Sequence, residues 1–397
     1  MRLKFFLFLL IFSTTYLISQ VGTQKYNSII TGAQQTDLYL QRLKNKKIAI
    51  VTNASGIIGN KHLVDTLLKH KIKIVKIFGP EHGFRGTADA GEKVKSGKDA
   101  ITNITVVSLY GSHKKPTKED LKGIDIVIYD IQDVGVRFYT YISTMSYVME
   151  ACAENNKELI IFDRPNPNGF YIDGPIMTDK YKSFLGLHHV PIVYGMTCGE
   201  YAMMVNGEGW LKNKLKCKLT IIPLKKYDRS KFVSGLPIKP SPNLPNDTAV
   251  LLYPSLGLFE GTIVSLGRGT DFPFQVVGNP FVDEGSFPLT FTPKSTAISK
   301  KPKYQDTLCY GVDMRIQFEY ILKSKQINLT LLNMFYHHSA DKQASFFDNN
   351  FNYHAGNDAL KEQSILSISP MEIRESWKVG IYEFKKIRKK YLLYDDF

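Results

Sequence analysis

The first part of the sequence alternates short apolar runs with segments of helical periodicity. Apolar runs typical of buried strands occur at residues 47–51, 72–78, 104–109, 124–129 and 159–162. Between them, residues 61–70 and 141–155 place apolar side chains at helical spacing, and Thr117 with Asp120 forms a capping-box pattern typical of a helix start. This β-α-β rhythm predicts an α/β fold with a doubly wound parallel sheet and helices on both faces.

Prolines interrupt the chain between residues 235 and 254. Helices and central strands are not expected to run through such a segment. We therefore predict a domain boundary there, with a catalytic domain at 26–245 and a smaller auxiliary domain at 246–397. In the second domain, residues 316–322 look like a strand and residues 370–390 like a basic helix.

The first residues have the pattern of an export signal. Two basic residues precede the apolar run at 5–12, and a polar segment follows it. We predict a signal peptide at 1–22 and a periplasmic or extracellular protein; an N-terminal membrane anchor is the alternative. No later run is long and apolar enough to predict a stable membrane span in the mature chain.

Charge and cysteine content limit the function classes. The formal net charge of +14 favours anionic partners such as cell-wall polymers, lipid surfaces or acidic sugars. Nucleic acid is disfavoured as a partner, because no nucleic-acid-binding motif accompanies the scattered lysines. The four widely spaced cysteines form neither a zinc motif nor a disulfide-rich framework. One disulfide is possible, but buried free thiols are the default expectation.

Polar residues follow almost every predicted strand of the first domain. Because parallel strands end at one edge of a sheet, these residues are expected to share a rim. They are Asn53, Glu81, His82, Arg85, Asp130, Gln132, Asp133, Arg137, Asp163, Arg164 and Asn166. The sequence thus predicts a site rich in carboxylates and hydrogen-bonding groups.

Several familiar catalytic motifs are missing from this sequence. It contains no phosphate-binding loop, dinucleotide fingerprint, nucleophile elbow or HExxH motif, so we predict no cofactor and no metal. The His188–His189 and His337–His338 pairs are interpreted as core or surface histidines.

Carboxylate chemistry remains, and glycoside cleavage requires one acid and a second stabilising group. Glu81 could instead form a structural salt bridge with Arg85, and the aspartates could cap loops. Arg137 and Arg164 could clamp a substrate carboxylate or bind the nearby aspartates.

Long motifs in the sequence resemble those of the exo-β-N-acetylmuramidase family called NamZ, formerly a domain family of unknown function. They are PEHGFRG at 80–86, DIQDVGVRFYTY at 130–141, DRPNP at 163–167, YGMTCGE at 194–200, SPNLP at 241–245 and EGTIVSLGRGT at 260–270. The resemblance covers nearly all of the expected mature chain, in order.

The resemblance implies a Rossmann-like domain, a smaller C-terminal domain and an active cleft between them. It implies release of terminal β-1,4-linked N-acetylmuramic acid from peptidoglycan fragments, with muramyl saccharides as partners. By its motif Glu81 is the expected catalytic acid, with Glu92 and Asp133 in reserve. The other motif residues expected to bind substrate include Tyr139, Tyr194, Glu200, Glu260 and Arg268.

One motif position departs from the family, because many members have His where this chain has Tyr194. The sequence leaves retaining, inverting and substrate-assisted mechanisms open. A non-catalytic sugar-binding protein on the same fold is the alternative function, and a phosphoryl-transfer enzyme is disfavoured by the missing phosphate loop.

Overall fold

The computed structural model of the protein describes residues 22–85, 96–339 and 345–397. Nearly all of the predicted signal peptide and the reserve catalytic residue Glu92 lie outside the described residues.

Strands and helices alternate through the first part of the described chain, and helices predominate after it. The strands are β1 Thr23–Lys25, β2 Lys47–Thr52, β3 Ile57–Ile58, β4 Lys61–His62, β5 Lys73–Gly79, β6 Gly97–Lys98, β7 Thr105–Ser108, β8 Ile126–Asp130, β9 Glu158–Phe162, β10 Lys218–Ile222, β11 Phe232–Ser234, β12 Val276–Asn279, β13 Leu289–Phe291 and β14 Cys309–Asp313. The helices are α1 Leu40–Leu43, α2 Leu63–Lys69, α3 Tyr141–Glu154, α4 Cys198–Gly207, α5 Asp247–Leu256, α6 Phe318–Ser324, α7 Leu329–His338, α8 Phe351–Ala355, α9 Ala359–Ile365 and α10 Pro370–Lys389.

A seven-stranded sheet in the order β10-β9-β8-β2-β5-β7-β6 organises the N-terminal part. Its strands are parallel except for the short edge strand β6, which runs antiparallel to β7. Numbered along the chain, the parallel strands have the 3-2-1-4-5-6 order of a Rossmann-like sheet, which confirms the predicted fold class. The order reverses between β2 and β8, so the ligand crevice is expected at their carboxyl ends.

Alternating side chains of the central strands pack into two apolar clusters, one on each face of the sheet. In β2, Ile48 and Ile50 point into the cluster that includes Leu67 of α2. Ala49 and Val51 belong to the other cluster, which contains apolar residues of α3 and α4. Both faces are therefore covered by helices, as predicted.

The C-terminal part combines a small antiparallel sheet, β12-β14-β13, with helices α5 to α10. The predicted terminal helix is confirmed as α10, which starts with Pro370 after a capping box made by Ser369 and Glu372. This helix packs back on the N-terminal part. Arg388 donates to the carbonyl of Gly195 at 2.7 Å, and Tyr394 beyond the helix donates to Asp163 at 2.6 Å.

Two expectations for the later chain are wrong. The strand predicted at 316–322 is helical, because Phe318, Ile321 and Leu322 follow helical spacing and the last two are buried on one side of α6. Helix α5 also runs through Pro254, which was expected to exclude it. Pro254 has no N–H for the carbonyl of Val250, and the side chain of Asn168 donates to that carbonyl at 3.0 Å instead.

The predicted helix start near residue 117 is a turn. The expected reciprocal bonds form, since Asp120 accepts from Thr117 N at 2.9 Å and Thr117 Oγ1 accepts from Asp120 N at 3.1 Å. The chain then reverses at Gly123, whose φ is +70°, and enters β8 without forming a helix.

Candidate active site

An open cleft of about 740 Å³ brings strand-end loops of the sheet together with residues of the C-terminal part. Its lining residues are Glu81, Tyr110, Gly111, Lys114, Thr140, Phe184, Leu185, Glu260, Val264, Ser265, Leu266, Arg268, Lys303, Asn350 and His354. A smaller recess beside it shares Glu81 and Glu260 and adds His82, Tyr139 and Tyr253. Two carboxylates, Glu81 and Glu260, therefore face the same open cleft.

Glu81 reaches the cleft from the turn that follows β5. The next two residues, His82 and Gly83, have φ of +66° and +76°, so the chain turns sharply there. Thr140, at the start of α3, donates its hydroxyl to Glu81 Oε2 at 2.8 Å. Tyr110 also hydrogen-bonds Glu81; burial, with the Glu81 charge, raises the pKa of Tyr110 and keeps it a protonated donor. These contacts fix the orientation of the Glu81 carboxyl group.

Glu260 enters the cleft from the short 3-10 helix Gly257–Gly261, which follows α5. Arg268 Nη2 lies 2.8 Å from one Glu260 oxygen, and His354 Nε2 lies 3.7 Å from the other. Burial disfavours the charged form, but Arg268 and His354 outweigh it and lower the pKa of Glu260 to about 2. Glu260 is therefore ionised throughout the physiological pH range.

The backbone on both sides of Arg268 is shaped by glycine. Gly267 and Gly269 have φ of +69° and +81°, and a Cβ on Gly269 would lie 2.4 Å from the carbonyl oxygen of Lys294. Other residues are strained in this conformation and would clash there. The Gly-Arg-Gly sequence thus holds the guanidinium group against Glu260.

The structure brings five of the predicted site residues together in the cleft and its recess: Glu81, His82, Tyr139, Glu260 and Arg268. Arg85 lines neither volume and instead pairs with Asp99, with Nη2 2.8 Å from Oδ2.

Most of the other predicted residues lie in a buried layer beneath the cleft, where their side chains bind other groups of the protein. Arg164 donates to both oxygens of Asp130 at 2.6 and 3.0 Å, and both side chains are buried. Arg137 donates to four backbone carbonyls, those of Pro175, Val190, His354 and Ala355, at 2.7–2.9 Å. Burial lowers the pKa of Arg137 to about 9. These contacts favour structural roles over a clamp on a substrate carboxylate.

The remaining acids of this layer also contact protein groups. Asp133 accepts from Gly135 N at 2.7 Å and from the hydroxyl of Tyr194. Burial raises the pKa of Asp133 to about 6. Asp163 accepts from Thr197, Gly199 and Tyr394, and burial raises its pKa to about 6 as well. Glu200 caps α4 and pairs with Arg229.

The three predicted amide side chains also form hydrogen bonds with other groups of the protein. Asn53 binds Ser55 and Tyr141, Gln132 binds the carbonyls of Asp133 and Pro165, and Asn166 binds Met196. Among the described residues, therefore, the candidates of this buried layer hold the strand-end loops in place and line neither the cleft nor its recess.

Several cleft residues were not predicted from the sequence. Tyr110 follows the third parallel strand, and Thr140 lies inside a long motif, so both carried a signal that could have been used. Lys114, Lys303, Asn350 and His354 belong to no motif. Only the packing of the C-terminal part against the sheet identifies the last three.

Within the described part of the chain, no three His, Cys, Asp or Glu side chains are grouped as metal ligands. His188 is buried beside Trp210, whereas His337 and His338 are exposed. The four cysteines are buried with free thiols. In the same part of the chain no helix is both long and apolar enough to cross a membrane.

Comparison with known proteins identifies relatives over most of the chain. Residues 48–248 match the family described as exo-beta-N-acetylmuramidase NamZ, N-terminal, and residues 251–394 match its C-terminal counterpart. The peptidoglycan beta-N-acetylmuramidase NamZ of Bacillus subtilis is 39% identical over 371 residues, covering 90% of this chain and 89% of the relative.

Two solved structures share the fold. A DUF1343 family protein from Bacteroides fragilis superposes with a TM-score of 0.86 at 46% identity, covering 93% of this chain and 99% of the other. A second such protein from the same organism gives 0.80 at 30% identity, with 92% and 99% covered. Sequence and fold agree over nearly the whole length, and the chain therefore belongs to the NamZ exo-β-N-acetylmuramidase family.

Proposed function

We propose that this protein is an exo-acting glycosidase that releases terminal β-1,4-linked N-acetylmuramic acid from peptidoglycan fragments. The observation that carries the proposal is the presence of Glu81 and Glu260 in one cleft beside the point where the strand order reverses. The name of the Bacillus subtilis relative supports the reaction, and the family description supports the exo mode. The acidic product suits a basic protein.

The two carboxyl groups suit different steps of glycoside cleavage. Glu260 is held ionised by Arg268 and His354, so it fits the group that stabilises or attacks the positively charged anomeric carbon. Glu81, oriented by Thr140 and Tyr110, fits the acid that protonates the leaving oxygen as the bond from that carbon breaks. Water then supplies the hydroxyl of the released sugar and returns a proton. Asp133 does not line the cleft, and so ranks behind Glu81 as the acid.

The test is an assay of the purified chain on short glycans that end in N-acetylmuramic acid. Residues 22–397 are the suitable form, because β1 begins at Thr23 and pairs with β11. We expect release of the free sugar without added metal or nucleotide. Binding of muramyl glycans without release from any of them would favour the sugar-binding alternative. Loss of activity on chelation, restored by a divalent ion, would contradict a metal-free reaction.

We also propose that the protein is exported through the signal at residues 1–22. The basic and apolar start supports this, and so does the pairing of β1 with β11, which makes Thr23 part of the folded structure. Mass spectrometry of the natural protein should find a mature N-terminus near residues 20–23 outside the cytoplasm. An intact Met1 in the membrane fraction would favour the anchor.

A further inference from the structure

The sugar assigned to this cleft carries a lactyl carboxylate, and the arginines expected to bind it are already occupied. Arg137 binds carbonyls, Arg164 binds Asp130, and Arg268 binds Glu260. Among the described lining residues, Lys114 and Lys303 are the lysines, and neither forms an ion pair with a carboxylate there. These two lysines are therefore the candidates for binding the lactyl carboxylate.

Lys303 is anchored to the backbone just beyond Glu260. Its ammonium group donates to the carbonyl of Thr262, and the hydroxyl of the adjacent Tyr304 donates to the carbonyl of Ile263 at 2.5 Å. Lys303 and Tyr304 are thus attached to Thr262 and Ile263, which lie two and three residues beyond Glu260 in the chain. An ammonium group has three donors, and one protein acceptor is present among the described residues, so two donors remain for a ligand.

The electrostatic surroundings of Lys303 suit an anionic ligand. Burial lowers the pKa of Lys303, with Arg268 acting in the same direction and Asp348 and Glu260 opposing it. Asp348 acts more strongly on Lys303 than Glu260 does, but among the described residues neither acid forms an ion pair with it, and Glu260 already pairs with Arg268. As a residue Lys303 is exposed to solvent, so its side chain is accessible to a ligand from the cleft. A ligand carboxylate would give its ammonium group the ion pair that the protein does not supply.

Lys114 stands apart from this arrangement. Its ammonium lies 4.8 Å from the ring centre of Phe184, a cation–π contact on a wall contributed by the N-terminal part. It lines the same cleft and serves as a comparison for any general effect of positive charge.

We propose that Lys303 receives the lactyl carboxylate and makes the enzyme selective for N-acetylmuramic acid. This inference rests on the proposed function. In it, Lys303 is a specificity-determining residue that contacts the substrate and not the glycosidic bond.

The experiment compares two nitrophenyl β-glycosides. One carries N-acetylmuramic acid, and the other carries the same sugar with its lactyl carboxyl converted to the primary amide, which keeps the size and removes the charge. For Lys303→Met, which retains the aliphatic chain, we expect kcat/KM on the acid to fall about 10- to 100-fold, the usual effect of one charged hydrogen bond. Turnover of the amide should change less than about threefold, and Lys303→Arg should keep part of the preference.

Two variants act as controls for the position of the charge. Lys301→Met alters a neighbouring exposed lysine, and it should behave as wild type. Lys114→Met should leave the ratio of acid to amide turnover close to that of wild type. Thermal unfolding of each variant separates a folding defect from a change in selectivity.

Equal loss on both glycosides in a folded Lys303→Met enzyme would overturn the inference, and so would a preference lost only in Lys114→Met. Turnover of neither glycoside by the wild type would contradict the proposed function itself. Turnover by wild type with an unchanged preference in Lys303→Met would contradict only the assignment of Lys303.

Discussion

The open cleft and the buried polar layer beneath it are both built from residues of the sequence motifs, yet their charged groups have different surroundings. In the layer, Arg164 and Asp130 satisfy each other, and Arg137 is surrounded by carbonyls. In the cleft, Glu81 and Glu260 are held by neighbouring groups but keep accessible surface. A motif residue can therefore either act on the substrate or hold the loops that present the acting residues.

The largest effect is expected for Glu81→Gln. Gln keeps the size and polarity of Glu81 but cannot give up a proton, so activity on the natural disaccharide should fall about 10²- to 10⁴-fold. Folding and product binding should be unchanged. A nitrophenyl glycoside needs less protonation of its leaving group and should lose less. The control is Glu284→Gln, an exposed glutamate outside the cleft. Near-normal activity of Glu81→Gln would direct the search to Glu92 and Asp133.

Arg164→Ala, in the buried layer, is expected to reduce stability and to leave substrate binding nearly unchanged. Its removal leaves the Asp130 carboxylate buried without its partner, which should reduce the free energy of unfolding by about 3–5 kcal/mol. Urea denaturation measures this loss. The KM of the remaining folded enzyme should stay near that of wild type. Arg315→Ala, which removes an exposed pair with Asp313, should cost at most about 1 kcal/mol. A stable Arg164→Ala enzyme with a raised KM would place Arg164 in substrate binding.

The buried Asp133 carboxyl group should make the free energy of unfolding depend on pH. Burial raises its pKa to about 6 from the usual value of about 3.9, so the folded protein binds this proton more tightly than the unfolded chain does. The free energy of unfolding should therefore decrease as pH rises from about 4 to about 6, by an amount on the order of 3 kcal/mol from this group. Asp133→Asn does not titrate and should show a smaller decrease between these pH values. Asp163 retains its own decrease of the same sign. Parallel stability profiles would contradict this prediction.

The smallest effect is expected for Tyr110→Phe. The change removes one hydrogen bond to Glu81, usually worth about 0.5–1.5 kcal/mol, so kcat should fall roughly two- to tenfold. Because Tyr110 positions Glu81, KM should change little. Tyr320→Phe, at an exposed tyrosine, provides the control. A rise in KM with kcat unchanged would indicate that Tyr110 binds the substrate and does not position the acid.

The sequence determined the fold class and the family of this protein. The spacing of apolar residues gave the strands and helices of the sheet, because burial on each face requires that spacing. The strand-end pattern placed Glu81 at the correct edge. The errors at 316–322 and at Pro254 arose where local patterns compete with packing, since a short apolar run fits either structure and Asn168 replaces a missing hydrogen bond.

Only the tertiary structure decided which charged residues stay accessible. In the sequence, an aspartate after a strand that faces a substrate cannot be distinguished from one that pairs with a buried arginine. Asp130 is of the second kind. The partners of Glu260 show the same limit, because His354 comes from a distant helix outside every motif. Burial and ion pairing depend on contacts between segments far apart in the chain, and those contacts exist only after the C-terminal part has packed against the sheet.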